Sequence, residues 1–252
     1  MRYFGLDMPA FLKKLLPPEP VNRKTLGVLL VSVVSLLVLH YGQQDFVYVW
    51  LRPSLLTIFK GLDTGLVHLL WWAILCILSY VVVPVIFLLS IRERNLKEFG
   101  LSSNIDLRQG KGYMLLLLPM LPLVFLASFL PSFQSTYPFW NPDAGSTLWP
   151  NLLIWELAYA MQFFALEFFF RGFIVHGCKQ TLGWYAVPVM MIPYVMIHFP
   201  KPLPEALGSI AAGWVLGMLS FHSKSIWYGV LMHIAVAWTM DFLSLYHRGL
   251  LG

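Results

Sequence analysis

The stretch Ile154–Cys178, IWELAYAMQFFALEFFFRGFIVHGC, decides the fold. It is long and oily enough to cross a bilayer, yet it carries Glu156, Glu167 and Arg171. On an α-helix the eleven residues between Glu156 and Glu167 bring them to one face with roughly 20° of drift. Arg171 follows Glu167 by one turn, so the two are neighbours on that face. A carboxylate at mid-bilayer costs at least about 2.5 kcal/mol, so it needs partners inside a bundle or a water-filled cavity. An internal Glu167–Arg171 ion pair that only locks packing is the plainest account. A functional site is the other, and it requires further ionisable groups at the same depth.

The rest of the chain has the same character. Of 252 residues, 58% are hydrophobic and 12% charged, and the mean hydropathy is +0.71. A soluble domain carries roughly a quarter charged residues, so the composition is that of a polytopic membrane protein. The expected fold class is all-α: a transmembrane helical bundle of about seven spans with no extramembrane domain. The net charge of +5 is concentrated in loops and the N-terminus. It reads as topology and contact with the lipid bilayer, and no nucleic acid partner is expected. Cys76 and Cys178 lie in or at the end of apolar runs, which argues against a disulfide and against a zinc or redox motif.

Residues 1–24 read as an N-terminal cytoplasmic or interfacial segment, with an apolar helical pattern before Pro17 and no cleavable signal pattern. Residues 25–91 hold two spans, Thr25–Tyr41 and Leu66–Ile91, joined by a mixed loop. Residues 92–252 hold five: Lys111–Leu130, Ile154–Cys178, Trp184–Phe199, Leu203–Phe221 and Ser225–Tyr246. Arg2, Lys13, Lys14, Arg23 and Lys24, and then Arg92, Arg94, Lys97, Arg108 and Lys111, fall on one side. The positive-inside rule places that side, and the N-terminus, in the cytoplasm of a multi-pass protein such as one of a cell inner membrane.

At about 1.5 Å per residue, Glu167 lies roughly 15 Å from the inner end of its span, His233 roughly 14 Å and His198 at most roughly 22 Å. One carboxylate and two imidazoles from three segments can thus meet at mid-depth. They suit a His₂Glu metal site of Glu167, His198 and His233 holding a divalent ion such as zinc, or a metal-free general base with oxyanion stabilisation. His40, His68, His176, His222 and His247 lie near span ends and read as interfacial. Glu156, Lys201, Glu205 and Asp241 lie toward the outer half and form a second candidate polar cluster. There a local Lys201–Glu205 ion pair is the cheapest arrangement. Gly208, Ala212, Gly213 and Gly217 are spaced for close helix approach.

EFFFRGF at 167–173, YVMIH at 194–198 and IWYGVLMH at 226–233 resemble, in order and spacing, the three motifs of the CPBP intramembrane proteases. These are the CAAX prenyl endopeptidase and bacteriocin-processing, or Abi-like, proteins. The segment 92–101, ending Phe99-Gly100-Leu101, and the stretch 201–229 are similar to the family's connecting segments, so the resemblance covers roughly 92–242. It implies a helical membrane hydrolase that cuts a membrane-anchored peptide or protein substrate. By analogy Glu167, Arg171, His198 and His233 are the motif residues. The family is described as metal-dependent, and a metal-free, glutamate-dependent activation of water has also been argued for it. Two positions depart from the pattern. Leu166 stands where the family has the first of two glutamates, and Ala237 where it has Asn or Asp one turn after the last histidine. A catalytically silent scaffold or immunity protein is therefore the alternative, and an ion or proton transporter a third.

Overall fold

The computed structural model describes residues 22–102, 107–142 and 147–251. The leader helix expected before Pro17 lies outside the described residues. Every regular element among them is helical. In chain order α1 is Arg23–Gly42, α2 Asp45–Ile58, α3 Thr64–Ile77, α4 Val83–Ser90, α5 Leu107–Ala127 and α6 Pro131–Thr136. Then come α7 Asn151–Glu167, α8 Gly177–Leu182, α9 Ala186–Met196, α10 Leu203–Ser223 and α11 Trp227–His247. A wide π-helical turn, Leu78–Val82, joins α3 to α4, and a longer one, Phe168–His176, joins α7 to α8.

Six helical runs are long and apolar enough to cross a membrane. The run Asn151–Met196 accounts for two of the seven expected crossings. Tyr194 is 24 residues beyond Phe170, or about 36 Å along a straight helix, yet the two rings lie 5.3 Å apart. The chain therefore doubles back, at Gly183, whose φ of +57° lies in a region that suits glycine. The fifth span is correspondingly short: α9 has 11 residues and ends before His198.

Each outer helix buries one narrow stripe. On α1 the buried residues are Thr25, Val28, Ser32, Ser35 and Leu39, at helical spacing, while Leu30, Val33 and Leu37 are exposed. Lipid tails are as apolar as leucine, so such faces gain little by packing on protein, and small residues mark the contacts instead. Thus α10 lies against α9 through Gly213, beside Tyr194 and Met191, and Gly217, beside Val187 and Met190. Gly208 was expected on this seam, but open space surrounds it.

The central helix is different. All nine residues Phe168–His176 are buried, and Phe168, Phe169, Phe170 and Phe173 form the core with Tyr80, which stacks on Phe169 at 4.4 Å. That explains a stretch oily on every side: it faces protein all round. His176, expected at the interface, is buried with its Nε2 3.2 Å from Ser220 Oγ.

Two regions expected as loops are folded. Residues 45–58 form α2, with Trp50 83% exposed, and the segment after α6 packs down over one end of the bundle. Tyr137 and Trp140 are buried there, and Trp140 Nε1 donates to Asp63 Oδ2 at 3.0 Å.

Candidate active site

Glu167 closes α7 at the point where the wide turn begins. Its Oε1 lies 3.2 Å from Arg171 Nη1 and 3.0 Å from His233 Nδ1. The neighbouring pair read from the sequence thus forms, with both side chains essentially inaccessible to solvent. The guanidinium of Arg171 also lies over the Tyr194 ring, 4.1 Å from its centroid. Gly229, one turn before His233, makes room for the carboxylate: a Cβ there would overlap Glu167 Oε2.

Hydrogen-bond partners fix the proton on each imidazole. His233 Nδ1 faces the Gly229 carbonyl at 3.2 Å and the Glu167 carboxylate, and both are acceptors. Nδ1 therefore carries the hydrogen, and Nε2 is left as the base, 3.2 Å from the Tyr194 hydroxyl that donates to it. His198 Nδ1 donates to the Tyr194 carbonyl at 2.7 Å, which again leaves Nε2 as the free lone pair. The Phe163 ring stacks on His233 at 5.4 Å.

Both imidazoles line one cavity of about 530 Å³. Its wall also includes Tyr159, Gln162, Leu166, Lys201, Glu205 and Ala237. Glu167 does not line it and stands behind His233, so the two histidines share the cavity while the acid expected beside them lies one layer back, in contact with His233. The reason is helical phase: Leu166 and Gln162 are one turn apart and share the cavity face, and Glu167 is rotated by about 100° from it. The Nε2 of Gln162 is buried with no hydrogen-bond partner.

Among the described residues no group of three or more His, Cys, Asp or Glu side chains gathers as a metal ion would require. Glu167 is turned to Arg171 and to the protonated Nδ1 of His233, away from the cavity that the two imidazoles line. The donor set Glu167, His198 and His233 therefore does not fit a zinc site.

The second polar cluster forms with Tyr137 as its hub. Tyr137 Oη donates to Glu205 Oε2 at 2.6 Å and accepts from Lys201 Nζ at 3.2 Å. Lys201 Nζ also sits 3.9 Å from the Phe139 ring centroid. The expected Lys201–Glu205 ion pair is not made, because the phenol stands between the two. Burial lowers the pKa of Lys201, opposed by Glu205 and Asp241. Burial likewise raises the pKa of the Tyr137 phenol, with Glu205 adding to the rise. Asp241 accepts from Trp155 Nε1 at 2.9 Å, and neither carboxylate oxygen of the neighbouring Glu156 has a hydrogen-bond partner. Sequence reasoning missed Tyr137, Gln162, Tyr194 and Gly229. Tyr194 and Gly229 lie inside quoted motifs, where a polar ring or a missing side chain in a helix was the available signal.

Residues 147–239 match the family model described as Type II CAAX prenyl endopeptidase Rce1-like. The match bears out the resemblance to CPBP proteases over that segment, which contains all three motifs. It is a protease family, and the helices that carry the motifs are apolar enough to span a membrane. Neither a comparison with curated proteins nor one with solved structures finds a match.

Proposed function

We propose that this chain is an intramembrane endopeptidase in which His233, oriented by Glu167, activates water. The observation that carries the reading is the Glu167–His233 contact at 3.0 Å, with the same ring lining the cavity; water reaches Nε2 when the Tyr194 hydroxyl turns from it. As a substrate peptide bond enters, Nε2 takes a proton from water while the water oxygen bonds to the scissile carbonyl carbon. Glu167, held by Arg171, stabilises the imidazolium that results. The carbonyl oxygen becomes an oxyanion, for which the unpartnered Gln162 amide on the cavity wall is the donor at hand. Collapse breaks the C–N bond, and the proton on Nε2 passes to the leaving amine. His198, with its hydrogen committed to the Tyr194 carbonyl, offers an acceptor that orients the water. Lys201 and Glu205 lie on the wall of the same cavity, where they contact substrate. The substrate is a membrane-anchored or amphipathic peptide or protein, since the cavity is bounded by spanning helices. The end bearing Arg23, Lys24, Arg92, Arg94 and Lys97 faces the cytoplasm.

The test is proteoliposome cleavage of a prenylated or lipid-anchored peptide by wild type, Glu167→Gln, His233→Gln and Gln162→Leu. His233→Gln is expected to abolish cleavage, and Gln162→Leu to lower kcat by about 10²-fold or more. Full cleavage by His233→Gln would sink the mechanism. One observation favours a second reading, a silent member that binds peptides without cutting them. Leu166 and Ala237, the two departures from the motifs, both line the cavity, where they present hydrocarbon to it. Under that reading wild type binds the anchored peptide, and neither wild type nor any variant cleaves it.

A further inference from the structure

At the opposite end of the bundle from His198 and His233, a cavity of about 730 Å³ opens between the start of α1, the turn Leu96–Phe99, α8 and the end of α10. Four lysines line it, Lys24, Lys97, Lys179 and Lys224, against one carboxylate, Glu98. Their charges are poorly answered among the described residues. Glu98 accepts from Asn95 Nδ2 at 2.9 Å rather than from a lysine, and Lys179 donates to the Phe221 carbonyl at 2.6 Å. Lys24 alone has an acid, Glu93, at 2.7 Å. Bringing like charges around one hollow is unfavourable unless an anion fills it.

We propose that this cavity binds a phosphate mono- or diester group, as carried by a lipid headgroup or by a soluble phosphate. Several ammonium groups from separate elements suit a phosphate, whose oxygens take hydrogen bonds from several directions. The cavity lies at the ends of spanning helices, the level of lipid headgroups, where basic pockets between helices bind anionic lipids. Its walls are tied to the central elements. The Ile226 amide at the head of α11 donates to the Gly100 carbonyl at 3.2 Å, and Phe99 packs by its carbonyl on Gly172. An occupant therefore stabilises the folded bundle, which makes thermal unfolding a readout independent of any cleavage.

The experiment measures the unfolding midpoint of the full chain in phosphatidylcholine nanodiscs, with phosphatidylglycerol added to the discs in one arm and inorganic phosphate in the buffer in another. The proteins are wild type, Lys97→Gln, Lys97→Gln/Lys224→Gln, and the control Arg92→Gln/Arg94→Gln, whose charges lie at the same end but off the cavity. A rise with phosphatidylglycerol that both cavity variants lose and the control keeps identifies a headgroup. A rise with inorganic phosphate in neutral discs, lost in the same variants, identifies a soluble phosphate. No rise with either probe, or a rise as large in the cavity variants as in wild type, overturns the proposal.

Discussion

The carboxylate of Glu167 is placed by an absence, the missing side chain of Gly229. Alanine is favoured over glycine by about 1 kcal/mol within a helix, so Gly229→Ala would stabilise α11 if nothing else changed. Because the new Cβ overlaps Oε2, the expected outcome is a displaced carboxylate and loss of cleavage, read in the proteoliposome assay. Leu166 poses the complementary case. It lies on the cavity face that Glu167 leaves, so Leu166→Glu puts a carboxylate beside both imidazoles. Cleavage is expected to rise if supply of activated water limits the rate. A variant that folds by thermal unfolding yet shows no cleavage would favour the binding-only reading.

At the level of elements, the π-helical turn Phe168–His176 positions the site. It widens the helix directly after Glu167, at the point where α9 folds back against it and Arg171 reaches the Tyr194 ring. Inserted π turns of this kind recur at functional sites. The turn tolerates its close neighbours through Gly172, where a Cβ would stand 2.6 Å from the Phe99 carbonyl oxygen. The neighbouring atom belongs to the backbone and cannot swing aside as a side chain would. Gly172→Ala is therefore expected to cost about 1–3 kcal/mol through overpacking, seen as a lower unfolding midpoint without any change in cavity residues. An unchanged midpoint would mean that the 96–99 turn moves freely against the central helix.

Across the whole molecule, the two ends differ in charge and in use. Lysines gather around the cavity at one end, and the aromatic cap of Tyr137 and Trp140 closes over the other. With the basic end in the cytoplasm, a cysteine at Lys60→Cys is expected to react with an impermeant thiol reagent in intact cells. Lys97→Cys should react only after permeabilisation, and the reverse pattern would invert the topology. Much of this was legible in the residues themselves. Apolar runs of bilayer length determine a helical bundle whatever their packing, because hydrocarbon leaves the backbone no partner but itself. Glu167, Arg171 and His233 were identifiable because an ionisable group in such a run needs a partner. Tertiary structure alone decided which way each group turns: a single residue step on a helix rotates a side chain by about 100°. That step sets Leu166 on the cavity and Glu167 behind His233, while the packing of the segment after α6, which has no periodic pattern, brings Tyr137 between Lys201 and Glu205.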